Sequence, residues 1–298
     1  MASAPGPAAQ GNIFDLGYRH YEGERLGRRH AITVLYLESL RAAFGLGRSA
    51  AAKVAPAVLI FVAAVPALIQ LIVSALFPGE AEVFTHDDYY GVIALILGLY
   101  CAAVAPDLAG RDQRNRALTL YFSRAIKRID YAFAKLAAMT TAMLLITLGP
   151  QALLLIANGL VAEDFGAYLR DSWDLVLPIV GTALLGSSLI ASIGVAISAQ
   201  TPRRAFATVG VVVAFIIPLA VAGILVNEID TAATHYGVFL SPLDLLAGVS
   251  SWAFRTEFPT GSAVENAGFS GWAYFGASLA ITLVASLLIV RRYRSIRA

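Results

Sequence analysis

The side chains that most often carry out chemistry are few and scattered in this sequence of 298 residues. The one cysteine, Cys101, lies inside an apolar run, which excludes a disulfide framework or a Cys-based metal motif. No GxxxxGK[ST], HExxH or GxSxG motif is present. The four histidines show no metal-ligand spacing, and each is expected to be a solvated residue of a tail or loop: His20, His30, His86 and His235. We therefore predict that the chain is not an enzyme by itself and holds no metal or cofactor of its own.

The rest of the sequence is strongly apolar, and the structure that it forms must position these side chains. Hydrophobic residues make up 58% of the chain and charged residues only 14%, whereas soluble proteins carry roughly 25% charged residues. The mean hydropathy is +0.71, and the apolar residues form runs of about 20, the length that crosses a bilayer core as a helix. We predict an all-α polytopic membrane protein. Its six predicted transmembrane helices cover residues 54–77, 91–109, 136–157, 175–199, 205–226 and 271–290.

Basic residues are distributed very unequally across these spans. Six spans put both termini on the same side of the membrane. All of the 22 lysines and arginines except Arg170 and Arg255 fall on that side. Because basic residues concentrate in cytoplasmic segments, both termini are predicted to be cytoplasmic.

The rest of the chain divides around the six-span domain, residues 54–290. Residues 1–27 and 291–298 are predicted to be cytoplasmic tails. Residues 28–53 are predicted to form an amphipathic helix at the membrane surface, with packing on a soluble partner as the alternative. Its apolar residues recur at helical spacing: Ile32, Leu35, Tyr36, Leu40 and Phe44. The external loop, 227–270, contains the run SPLDLLAGVSSWAF, which favours short re-entrant helices, with an ordinary folded loop as the alternative.

Polar residues inside the predicted spans are candidates for a transport path. The candidate pathway residues are Gln70, Thr140, Thr147 and Gln151. The threonines have a simpler interpretation, which is hydrogen bonding to their own helix backbone. Asp107 lies near a membrane surface, where it is expected to face water or to pair with an arginine such as Arg111. No carboxylate lies near the middle of a span, which argues against a proton- or sodium-coupled pump.

Residues 106–135 form a long polar interruption between spans that is dense in arginine and lysine. A short helix near residues 112–123 would bring Leu118, Tyr121 and Phe122 together as an apolar ridge suited to a groove on a partner protein. The alternative is that the arginines of this loop bind anionic lipid head groups. The flanking arginines, Arg114, Arg116 and Arg124, are expected to stay solvated. Asp112 lies four residues before Arg116, and the two are expected to form an ion pair on the helix.

This stretch resembles the coupling segment that ABC-2 type permeases, the membrane subunits of one class of ABC exporter, carry between spans two and three. The residues that match are Asp112, Arg114, Leu118, Ser123, Arg124, Arg128, Tyr131 and Lys135. The sequence departs from the family pattern at Arg116 and Ala117, which replace Gly-Thr, and at Ala125, which replaces Pro. These departures affect the expected geometry of the local turn more than the expected role of the segment. The layout is also similar, with a helix before span one, six spans and short helices in the last external loop.

The resemblance implies the permease subunit of an ATP-driven ABC exporter in a bacterial plasma (inner) membrane. ATP and Mg would be bound by a separate cytoplasmic ABC ATPase subunit. A second permease subunit, the same or a different chain, would complete a path among membrane lipids, and no nucleic acid is involved. The residues implied in coupling, within a cytoplasmic loop over 110–135, are Asp112, Arg114, Leu118, Tyr121, Phe122, Ser123, Arg124 and Arg128. The alternative is an ATP-driven membrane scaffold that acts on an external partner protein without moving a cargo through itself.

Overall fold

The computed structural model describes residues 26–47, 49–77, 83–123, 126–162, 164–229 and 231–295, and these are mostly helical, with no strand among them. A π-helical turn spans Leu225–Ile229, and a 3₁₀ helix spans Thr234–Leu240. The helices are α1 (Gly27–Ala43), α2 (Ala50–Leu76), α3 (His86–Arg114), α4 (Leu118–Phe122), α5 (Arg128–Val161), α6 (Phe165–Asp171), α7 (Trp173–Gln200), α8 (Arg204–Ile224), α9 (Pro242–Phe254), α10 (Ala263–Ala267) and α11 (Gly271–Ser295).

Six of these helices, α2, α3, α5, α7, α8 and α11, are long and apolar enough to cross a membrane. Over the described residues, the prediction of an all-α protein with six candidate membrane-spanning helices is confirmed. The helices are longer than the apolar runs, because polar residues cap and extend them. Thr85 accepts a hydrogen bond from Asp88 N at the start of α3, and Asp130 Oδ2 accepts one from Lys127 N, at 3.0 Å, at the start of α5.

Helix α3 is the most buried of the six spans. Two of its tyrosines tie it to its neighbours, since Tyr90 donates to Ile179 O of α7 at 2.7 Å and Tyr100 donates to Ala43 O of α1 at 3.0 Å. Cys101 is buried, as expected, against Gly194 of α7, where a Cβ atom would collide with the Cys101 sulfur. Glycine at this position therefore permits the close approach of α3 and α7.

Helix α1 packs along α5 rather than standing apart from the bundle. The apolar residues that set its predicted face contact the protein core, and Tyr36 donates to Thr141 Oγ1 at 3.0 Å. Near its start Arg28 lies 2.6 Å from Asp130, and this hydrogen bond raises the pKa of Arg28 above its ordinary value. Two glycines with positive φ, Gly45 and Gly47, follow α1. The segment predicted as one helix over 28–53 is thus divided into α1, a glycine turn and the start of α2.

The segment between α8 and α11 contains helices, and the run SPLDLLAGVSSWAF forms α9 together with its N-cap, Ser241. The 3₁₀ helix Thr234–Leu240 and α9 meet at 93°. The inner face of α9 is buried, and its Leu246 contacts Gly186 of α7. Tyr274 of α11 donates to Val264 O of α10 at 2.9 Å. These contacts join α9 and α10 to the bundle.

Candidate functional site

Charged and polar side chains gather at one end of the bundle, where α3, α7 and α11 end and α5 and α8 begin. We call this the basic end. Its backbone carbonyls are bridged by side chains from neighbouring spans. Ala199 O, at the end of α7, accepts from Gln113 Nε2 at 3.0 Å and from Arg292 Nε at 3.1 Å. The ends of α3, α7 and α11 are therefore joined by hydrogen bonds.

Tyr131 is the centre of this end. It lies in the first turn of α5, and its side chain is fully buried. Its hydroxyl donates to Asp112 Oδ2 at 2.6 Å, and the same oxygen lies 2.9 Å from Lys135 Nζ. The Lys135 ammonium is also 5.3 Å from the centre of the Tyr131 ring. A carboxylate from α3 is thus held by two side chains that lie one turn apart on α5.

The ion pair from Asp112 to Arg116 was predicted and is wrong, because Lys135 takes that place. A pair at spacing i, i+4 requires both residues to be helical. Helix α3 ends at Arg114, and Arg116 has a φ of 54°, in the left-handed region. Arg116 therefore lies in a turn beyond the end of the helix, and its side chain is exposed.

Helix α4 rests on Tyr131 through the side chains that were predicted to contact a partner. Leu118 is buried. The rings of Tyr121 and Phe122 lie 5.7 Å and 5.9 Å from the Tyr131 ring, and Arg128 lies 5.5 Å from the Phe122 ring centre. Burial, together with the nearby Asp112 carboxylate, raises the pKa of Tyr121 above its ordinary value. The ridge therefore faces the protein's own core.

The outward side of α4 carries different residues. Leu120 is 68% exposed, and Thr119 and Ser123 are exposed beside it. Ser123 Oγ donates to Leu120 O at 3.0 Å, which closes the end of the helix. Arg124 lies outside the described residues. A partner that approached α4 would meet Leu120 first.

Tyr131 also connects α4 to the last span. The Tyr131 and Tyr293 rings are 4.9 Å apart in an edge-to-face arrangement, a favourable geometry for aromatic pairs. Tyr293 in turn donates to Ala109 O of α3 at 3.2 Å, and Arg128 donates to Arg294 O at 3.2 Å. Contacts thus run continuously from α4 through α5 to α11 and α3.

Asp107 forms a second charged group at this end. It is buried, which corrects the expectation that it faces water. Its two carboxylate oxygens lie 3.4 Å from Arg114 Nη2 and 3.2 Å from Arg204 Nη2. The expected pairing with an arginine is present, through Arg114 and Arg204. Since Arg204 begins α8, this group ties α8 to α3.

Three of the four candidate pathway residues are buried, namely Gln70, Thr147 and Gln151. Gln70 lies at the opposite end, where its Oε1 accepts from Val83 N at 2.8 Å and Phe84 N at 3.1 Å. Thr147 donates to Met143 O of its own helix at 3.1 Å, in line with the simpler interpretation. Thr140 is half-buried on α5.

Gln151 and His86 form one buried pair between α5 and α3. Gln151 Nε2 donates to His86 O at 2.9 Å, and Gln151 Oε1 lies 2.5 Å from His86 Nδ1. The His86 ring is stacked on Phe254 of α9, with 6.4 Å between ring centres. The expectation that His86 is solvated is wrong, since it begins a span, is buried, and pairs with a residue distant in sequence.

The predicted site omitted several residues of the basic end, and two of them are Tyr293 and Arg204. Both lie in basic clusters at the ends of predicted spans, RRYR after the last span and RR before the fifth. A tyrosine between arginines at a span end was the available signal.

Comparison with models of known protein families finds no match, and comparison with curated proteins finds no significant match. The geometry of the basic end and the pattern of the sequence therefore carry the functional argument.

Proposed function

We propose that this chain is the permease subunit of an ATP-driven ABC exporter. In this proposal it forms a transmembrane path with a second permease subunit and couples to a separate cytoplasmic ATPase, which binds ATP and Mg. The observation that carries the proposal is the packing of α4 against Tyr131. A short helix between two spans, packed on a residue that also touches α3 and α11, is suited to pass a displacement into several spans at once.

The turn that leads into α4 also supports the resemblance to ABC-2 type permeases. Arg116 N donates to Gln113 O at 3.2 Å and Ala117 N donates to Asp112 O at 2.9 Å. This is the hydrogen-bond pattern of a Schellman motif, whose left-handed residue is usually glycine. The family pattern has Gly where this chain has Arg116. The departure therefore keeps a backbone conformation that suits the usual family residue.

The proposed contact with the ATPase lies on the outward side of α4. Leu120 is the exposed apolar side chain there, and the polar and basic residues near it in sequence, Arg114, Arg116 and Thr119, are also exposed. An apolar centre with a polar rim is a common arrangement at protein interfaces. The buried Leu118 and the half-buried Tyr121 and Phe122 then transmit the movement instead of touching the partner.

In the proposed mechanism, closure of the ATPase dimer pushes on Leu120 and moves α4. Tyr121 and Phe122 pass the movement to Tyr131, and the contact of Tyr131 with Tyr293 carries it to α11. Because Asp112 is held by Tyr131 and Lys135, the end of α3 moves with α5. The spans then change their relative angles, which opens the path to alternate sides of the membrane.

The test is Leu120→Glu in the full chain, with the tagged protein purified together with its ATPase. A charge at the centre of the contact should lower ATPase recovery and membrane-stimulated ATP hydrolysis at least tenfold. Leu240→Glu is the matched control, because Leu240 is a similarly exposed leucine, at 59%, away from the basic end. Unchanged association and unchanged hydrolysis in Leu120→Glu would refute the coupling role of α4.

A further inference from the structure

All three tryptophans of the sequence line one cavity at the end of the bundle opposite the basic end. They are Trp173 at the start of α7, Trp252 near the end of α9 and Trp272 at the start of α11. The cavity has a volume of about 1040 Å³, at the upper limit of the ~300–1,000 Å³ usual for small-molecule sites. A space of this size between two candidate spans and α9 can accept a large ligand.

The wall of this cavity is a packed aromatic surface that is open on its outer side. The Trp252 ring lies 4.6 Å from that of Trp272 and 5.3 Å from that of Phe275. Gly271 permits this packing, since a Cβ atom there would collide with the Trp252 ring. Trp173 and Trp272 remain 70% and 67% exposed. Large aromatic faces turned outward at the start of two spans suit the membrane interface, where tryptophan is enriched.

The polar groups of the cavity include one cation, one anion and the hydroxyls of Thr182, Ser251 and Thr256. Arg255 ends α9 in a left-handed conformation, with a φ of 58°. Arg255 and Asp174 are the charged side chains of the lining, and neither has a side-chain partner within the described part of the chain. Thr182 Oγ1, deeper in the cavity, is buried and lacks a hydrogen-bond partner among the described residues. These groups are available to a ligand with separated positive and negative charges.

We propose that this cavity binds a zwitterionic phospholipid from the surrounding membrane. The phosphate lies against Arg255, the amine lies near Asp174, and an acyl chain covers the tryptophan wall. One positive and one negative lining group match a head group of zero net charge better than an anionic one. The ammonium also gains from tryptophan faces, which attract cations. The proposal does not depend on the chain being an exporter.

Tryptophan fluorescence can measure lipid binding in this cavity, because all three tryptophans line it. The purified full-length chain in detergent is titrated with phosphatidylethanolamine that carries brominated acyl chains, which quench tryptophan on contact. We expect saturable quenching with about one lipid per chain. Arg255→Gln and Asp174→Asn should each raise the half-saturating lipid concentration at least fivefold. Arg170→Gln is the matched control, because Arg170 is exposed on α6 and is not part of the lining.

Three outcomes would overturn the proposal. The first is quenching that rises without saturation and equally in all variants, since this describes ordinary lipid around the protein. The second is equal or tighter binding of brominated phosphatidylglycerol with no effect of Asp174→Asn, since the ligand would then be anionic. The third is equal weakening by Arg170→Gln. Native mass spectrometry of each variant, with the retained lipid counted directly, gives a second readout in which the Arg255→Gln variant should lose its lipid.

Discussion

Tyr131 offers the sharpest test of the route from α4 to the spans. Tyr131→Phe keeps the ring and its contacts with Tyr121, Phe122 and Tyr293, and removes only the hydrogen bond to Asp112. A hydrogen bond to a charged group contributes ~1.5–3 kcal/mol. Because Lys135 still holds the carboxylate, we expect the lower value, ~1.5 kcal/mol. Tyr131→Ala also empties a fully buried site, which costs ~3–5 kcal/mol, so its total loss is about 5 kcal/mol.

The assay compares stability with coupling in the same preparations. At ~2 °C per kcal/mol, the midpoint of thermal unfolding should fall by ~3 °C for Tyr131→Phe and ~10 °C for Tyr131→Ala. Stimulated ATP hydrolysis in the complex should stay near the parent value for Phe and be lost for Ala. Tyr274→Ala is the matched control, because Tyr274 is also fully buried, and its hydroxyl bonds Val264 O away from the basic end. It should lose similar stability and keep stimulation at temperatures where it is folded.

Two results would refute this reasoning. If Tyr131→Ala and Tyr274→Ala lose stimulation equally at equal loss of stability, the effect belongs to the bundle as a whole. If Tyr131→Ala is destabilised but still fully stimulated, force does not pass through the Tyr131 ring.

Two further predictions concern packing and charge, and thermal unfolding of the purified chain checks both. Lys135→Met leaves the largely buried Asp112 carboxylate without its cation and should cost ~3–5 kcal/mol. Adding Asp112→Asn should recover part of this loss, and an equal or larger loss in the double variant would contradict the pairing. Gly194→Ala should cost ~1–3 kcal/mol by overpacking. Cys101→Ala should relieve it, because the new methyl would then lie 3.5 Å and 3.6 Å from the nearest Cβ atoms, and no relief would contradict that contact.

The spans were predictable because twenty apolar residues in a row have few alternatives in a membrane. Their ends were not, since hydropathy falls where a helix continues with polar residues. Helix α5 begins at Arg128, eight residues before the apolar run, because Asp130 caps it and Tyr131 and Lys135 pack against α3. Capping is local and visible in sequence, whereas the packing depends on residues about twenty positions away.

The basic end was predictable in part for a related reason. Helical spacing correctly grouped Leu118, Tyr121 and Phe122 on one side of α4. It could not tell whether that side faced a partner or the protein, because the answer depends on Tyr131 in another helix. Likewise Asp112 has a candidate partner four residues on, but the turn at Arg116 removes that geometry and leaves Lys135. Short-range pairing rules fail where a helix ends.

The central position of α3 imposes an order on the biogenesis of this protein. Helix α3 is synthesised second among the six spans, yet groups at its end are satisfied by residues made much later. Asp107 can pair with Arg204 only after α8 has been synthesised. The Ala109 carbonyl can accept the hydrogen bond of the Tyr293 hydroxyl only after α11 has been synthesised. Independent, stepwise release of each helix into lipid would separate these partners. A chain that stopped before Arg292 would therefore contain every apolar run needed for insertion and still lack the last contacts that close its core.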